Sequence, residues 1–137
     1  MVLGPASLQG EVVRADAHAG GATRGDPTFD AFYVFGSYFL TGEHRPYDLR
    51  NGAFVRVHPE RNAFSGDGGL GAIEVACRYS SLDLSDAGVN GGELRSGTLA
   101  LNWYVNPNTR IMLDSIRASV HGGGDVQALT LRFHVDF

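Results

Sequence analysis

The sequence has no lysine: all 11 of its Lys-plus-Arg residues are Arg. Its single cysteine, Cys77, excludes an internal disulfide and a cysteine-based zinc site. In an alternating stretch such a residue is by default a small apolar filler. No run of about 18 apolar residues occurs, which excludes a membrane-crossing helix. It does not exclude a membrane barrel, whose strands give lipid only every second residue. Net charge is −4, so there is no basic field for a nucleic-acid partner. The first residues, Met1-Val2-Leu3-Gly4-Pro5, lack the basic and apolar regions of a secretion signal, so any such signal is expected upstream of this chain. Convincing helical periodicity is missing throughout.

What is present is alternation. A 43% hydrophobic content is spread over short stretches separated by many of the 19 glycines, a pattern of strands and turns. The clearest stretch is the last. Leu129, Leu131, Phe133, Val135 and Phe137 share one face, and Ala128, Thr130, Arg132, His134 and Asp136 share the other. Termini of soluble domains usually fray into water, so an ending on Phe is odd there. It suits the closing strand of a barrel in lipid. Taken alone, this segment fits equally the last strand of a soluble sandwich.

Six strands are expected, at about 7–15, 28–41, 71–82, 96–105, 110–120 and 127–137. Each approaches the roughly 9–11 residues of a membrane-crossing strand, against about 5–6 for soluble ones. The second carries Tyr and Phe on both faces. The fifth is ambiguous, with Met112, Asp114 and Ile116 on one side and Ile111, Leu113, Ser115 and Arg117 on the other. Asn106-Pro107-Asn108-Thr109 reads as a tight turn. Loops are expected at 16–27, 83–94 and 121–126, with a long connection at 42–70. The Arg24-Gly25-Asp26 triplet reads as a solvated loop rather than an adhesion signal. His44, His58 and Glu60 match no metal-ligand spacing, and Gly66 to Gly71 precedes no helix that could make a phosphate cradle. No base, nucleophile or ligand constellation is recognisable among the five histidines, so no enzyme, metal or cofactor is expected.

The segments Gly71-Ala72-Ile73-Glu74-Val75-Ala76-Cys77-Arg78-Tyr79-Ser80, Thr98-Leu99-Ala100-Leu101-Asn102-Trp103-Tyr104 and Asn106-Pro107-Asn108-Thr109-Arg110 occur in that order before a final Phe. Together with Thr41-Gly42-Glu43-His44-Arg45-Pro46-Tyr47, this series resembles the C-terminal part of the phosphate-selective porin O/P family. The resemblance implies an all-β antiparallel meander of about six long amphipathic strands, the C-terminal portion of a sixteen-stranded transmembrane β-barrel. It implies the outer membrane of a Gram-negative bacterium, lipid on one face, and a homotrimer when full-length. The partners it implies are the missing N-terminal strands and the barrel-assembly machinery, which would read Phe133, Val135 and Phe137. It places the Asn106–Thr109 turn on the periplasmic side, with the 42–70 connection there or folded inward. Its function would be passive, anion-preferring diffusion, phosphate or polyphosphate included.

On that reading Glu74, Arg78, Arg117, Arg132 and His134 are expected to face the lumen, where charged side chains set selectivity. The competing expectation is that the arginines pair across strands with Glu74, Asp136 or Glu11 and stiffen the wall. A different class of answer is a soluble β-sandwich or small-barrel binding module, with the last strand packed on a second sheet.

Overall fold

The computed structural model describes residues 1–18, 25–66 and 68–137. Gly20-Gly21, Arg24 of the Arg-Gly-Asp triplet and Asp67 lie outside the described residues. The elements are β1 (Val2–Leu3), β2 (Ala6–Asp16), β3 (Thr28–Phe39), β4 (Tyr47–Asp48), β5 (Ala53–Phe54), β6 (Ala72–Asp86), β7 (Val89–Asn106), β8 (Thr109–Val120) and β9 (Gly124–Val135). Seven of them form one antiparallel meander in the order β1-β2-β3-β6-β7-β8-β9, and β4-β5 is a separate small hairpin. No helix occurs among the described residues.

Two of the turns that join neighbouring long strands differ in their chemistry. Pro107 and Asn108 make a two-residue turn between Asn106 and Thr109, with the Asn108 N–H donating to Asn106 Oδ1 at 2.8 Å. Ala87 and Gly88 turn β6 into β7 with φ of 46° and 81°, the left-handed pair of a tight hairpin. The expected loop at 83–94 is therefore strand on both sides of that turn, interrupted by a bulge between Asp83 and Ser85. Its apolar residues, Leu84, Val89 and Leu94, are scattered among glycines and polar residues without a period of two, so no alternation marks them as strand. Likewise β9 begins at Gly124, leaving a turn where a loop over 121–126 was expected, and it ends at Val135 rather than at Phe137.

Register assigns every side chain to one of two faces, because directly paired residues point the same way. One face carries the row Phe133–Ile111–Trp103–Ile73 and, next to it, Leu131–Leu113–Leu101–Val75–Tyr38. A third row is Leu129–Ser115–Leu99–Cys77–Gly36–Leu8. Most of this face has no protein cover among the described residues: Leu129 and Leu131 are each 73% exposed, Phe133 69% and Leu99 67%. Its end at Trp103 is touched by the Phe64 ring, 5.7 Å away between centroids, and by the Leu70 carbonyl. Toward the 86–89 turn it gives way to charge, with Arg14 donating twice to Asp30 (2.7 and 3.0 Å) and Arg95 beside Glu93 (2.6 Å). A contiguous apolar face of this extent is not left to water.

The opposite face is polar and is crossed by residues 42–70. This strap leaves β3, forms the β4-β5 hairpin and returns to β6. Asp48 shapes the hairpin by accepting from the Arg50 N–H and the Asn51 amide, and those bonds hold its carboxyl below the usual range. The buried apolar cluster, Phe39, Val57, Ala72 and Tyr104, lies where the strap meets the wall. The strap is tied down by the Ala63 N–H to Val105 C=O (2.7 Å), the Gly71 N–H to Arg61 C=O (3.1 Å) and the Trp103 indole to Leu70 C=O (2.7 Å). Gly71 is the point of re-entry. Its φ is +73°, and a Cβ there would stand 2.3 Å from the Tyr104 carbonyl oxygen. Gly71→Ala is therefore expected to cost more than the roughly 1–2 kcal/mol of a left-handed alanine. In a closed barrel carrying this segment, a heat-modifiability gel should show a lower folded fraction, and an unchanged fraction would contradict the assigned backbone.

Candidate functional site

The polar face and the strap together form a richly charged surface built from several elements. Glu74 is its centre. It is completely buried, on β6, and its two oxygens accept three hydrogen bonds. Arg45 Nε donates to Oε1 at 2.9 Å, while Asn102 Nδ2 (3.0 Å) and the Tyr104 hydroxyl (2.9 Å) donate to Oε2. Two of these donors come from β7, directly beside Glu74, and the third from the strap. The Arg45 guanidinium is further fixed by two rings, 5.0 Å from the Phe35 centroid and 5.4 Å from that of Phe54. A buried carboxylate is tolerable only when so saturated. A second carboxylate, Glu43, closes the start of the strap: the Thr41 hydroxyl donates to it, and the Glu60 N–H donates at 3.3 Å.

The other expected pore residues divide. Register puts Arg78 and Arg132 on the polar face, opposite Phe35 and Met112 respectively. Arg132 Nη2 meets Asp114 at 2.9 Å, and the Thr130 hydroxyl donates to the same oxygen at 3.2 Å. Asp114, awkward had it faced outward, thus sits on the polar face with a cation. Arg78 lies over the Tyr33 ring at 4.4 Å and has no carboxylate within ion-pair reach among the described residues. Arg110 is similar, over Tyr104 at 5.5 Å. The position of Arg117 departs from expectation. It pairs with Gln127 and Gly97 and shares its face with Leu113 and Leu131, not with Arg78. The two sides of β8 are nearly equal in apolar content, so its own sequence does not orient it; pairing of Leu113 with Leu131 does.

At the end of the wall near the 106–109 turn, Asp136 binds His134 (2.7 Å) and Arg56 of the strap (3.3 Å), and Arg56 also donates to Asn108 Oδ1 (3.2 Å). A cavity of about 330 Å³ opens here, with Arg45, Arg56, Arg110 and His134 around a single carboxylate, Asp136. Arg45, Arg56 and Arg110 escaped the sequence reading. The first two lie in the patternless connection, and the third lies beside a turn.

Two outcomes follow. Arg45→Ala leaves Glu74 buried without its cation, a change worth about 3–5 kcal/mol, so the strap should undock and become protease-sensitive between 42 and 70. Adding Glu74→Gln should restore much of the resistance, and failure to do so would mean the ion pair is not the anchor. The Asp136 carboxyl is held below the usual range, first by its His134 hydrogen bond and then by attraction to His134, Arg56 and Arg110. A depressed acid stabilises the native state above its ordinary value near pH 4, and that contribution is lost as pH falls through the lowered value. Hydrogen-exchange protection in the strap, taken relative to the intrinsic rate at each pH, should therefore fall below about pH 4, and the fall should shrink in Asp136→Asn.

Comparison with known proteins agrees with this architecture. An uncharacterized protein of Caulobacter vibrioides is 41% identical over 88 residues, covering 64% of this chain and 17% of that protein. Porin O of Pseudomonas aeruginosa is 29% identical over 125 residues, covering 85% of this chain and 27% of that protein. The chain thus spans under a third of the length of either relative. The sequence model of phosphate-selective porins O and P matches residues 1–137, from end to end. The chain belongs to the phosphate-selective porin O and P family.

Proposed function

We propose that this chain forms part of the wall and inner lining of a passive, anion-preferring diffusion channel in the outer membrane of a Gram-negative bacterium. The apolar face meets lipid, and the polar face with its strap meets the aqueous bore. A seven-stranded open meander leaves backbone groups unpaired along both outer edges, which lipid does not tolerate. Strands outside this chain therefore complete the barrel, and the closed barrel assembles as a trimer. Phe133 and Val135 lie on the uncovered apolar side of β9, with Phe137 exposed just beyond its end, where the barrel-assembly machinery would recognise them.

One observation carries the anion preference. Arg45, Arg56 and Arg132 are matched by Glu74, Asp136 and Asp114, whereas Arg78 rests on a tyrosine ring with no carboxylate in ion-pair reach, and Arg110, on Tyr104, has only the field of an Asp136 that His134 and Arg56 already hold. These two guanidinium groups keep their charge available to a passing anion, phosphate among them. A unit charge acting over about 10 Å of water contributes about 0.4 kcal/mol, a roughly twofold change in permeability ratio at low salt. Replacing Arg78 or Arg110 by Gln in the closed barrel should shift the zero-current potential of a planar bilayer toward cations by that ratio. A potential unmoved by both replacements together would remove these residues from selectivity.

A further inference from the structure

Beside the β4-β5 hairpin lies a second cavity, of about 620 Å³, lined by Gln9, Tyr33, Tyr47 and Phe54 and by neighbouring residues of β1 and β2. Its size is that of a small-molecule site. Three features of its lining belong together. Tyr47 and Phe54 stand edge to face at 5.1 Å, are 47% and 38% exposed, and so present ring surface that the strap itself does not use. The two rings nearest the wall each carry a guanidinium, Arg78 over Tyr33 and Arg45 over Phe54. Gln9 Nε2 is buried and has no hydrogen-bond partner among the described residues. A buried amide donor without an acceptor is costly, and an acceptor oxygen on a ligand would relieve it.

We propose that this cavity is a binding station for ring-bearing organic anions, such as aromatic carboxylates, within the pore. It deepens the reading of the polar face as a pore lining and rests on that reading. A bare inorganic oxyanion needs cations but gains nothing from aromatic walls. A flat ring with an anionic group uses both: the ring packs against Tyr47 and Phe54, and Arg78, which has no carboxylate in ion-pair reach, supplies the field that holds the charge. An oxygen of the same ligand accepts from Gln9. A guanidinium already stacked on a ring is held in one plane, so it loses little freedom on meeting the anion.

The test is single-channel recording of the closed barrel in KCl, with benzoate or acetate as the added probe. The two share a carboxylate and differ in the ring. Benzoate should reduce the current at a concentration about tenfold below that required of acetate. Tyr47→Ala and Tyr47→Leu should bring the two probes close together while leaving the zero-current potential in KCl unchanged. Tyr47→Leu keeps most of the bulk, so loss of benzoate preference in that variant reports the ring and not a collapsed strap. Equal potency of the two probes on the unaltered barrel, or an undiminished preference in both variants, overturns the station while anion preference stands. A zero-current potential without anion preference in the unaltered barrel overturns the pore reading and the station with it.

Discussion

A strand that crosses lipid can pair its amides only with the strands on either side, and the architecture follows from that constraint. The pairing runs without interruption through the apolar rows from β2 to β9; the register shifts fall only near the strand ends, at Asp83/Ser85 and Tyr104/Asn106. Once the backbone is committed in this way, each residue has one choice left, its face. The apolar rows then collect on the side largely without protein cover, and Arg45, Arg78, Arg132 and Glu74 on the other. No second sheet covers the apolar rows among the described residues, so a soluble sandwich would leave them in water, which is the arrangement soluble domains avoid.

The strap adds what a wall alone lacks, a dry interior. Phe39, Val57, Ala72 and Tyr104 are buried because the strap lies over them, and Glu74 is buried with them. An apolar residue at Glu74 could have packed as well or better, since buried ion pairs seldom win on stability alone. The carboxylate brings discrimination instead. It accepts from Asn102, Tyr104 and Arg45, so it is satisfied only when the strap docks in one register on β6 and β7. Arg56 repeats the device at the strand ends through Asp136 and Asn108.

How far this was legible in the sequence depended on how each residue came by its environment. The closing strand showed its faces because one side of it is uniformly apolar and uncovered and the other polar, and alternation is what that produces. β8 did not, because Asp114 and Arg132 neutralise each other on the polar face and let Met112 and Ile116 lie beside them; only pairing with β9 orients Arg117 outward. The strand residues around Asp83 and Leu94 were hidden for another reason: Leu84, Val89 and Leu94 lie too far apart among glycines and polar residues to alternate, and Leu94 meets Leu82 and Val120 only through pairing. In the strap no periodicity exists at all. Its path is set by contacts far along the chain, Arg45 with Glu74 and Ala63 with Val105, and spacing within residues 42–70 carries no trace of them.

The missing lysines acquire a meaning once the polar face is in view. A lysine ammonium in a bore is a mobile, strongly hydrated point charge on a flexible stem. Here the polar-face arginines that form no close ion pair, Arg78 and Arg110, lie on Tyr33 and Tyr104. Stacking fixes the plane of the charge and removes water from one side of it while leaving the N–H edge free. A carboxylate in place of either ring would fix the arginine as firmly and cancel its field. Aromatic residues on the inward side of β3 and β7, puzzling as pore lining by polarity alone, are the supports that hold a cation in place without neutralising it.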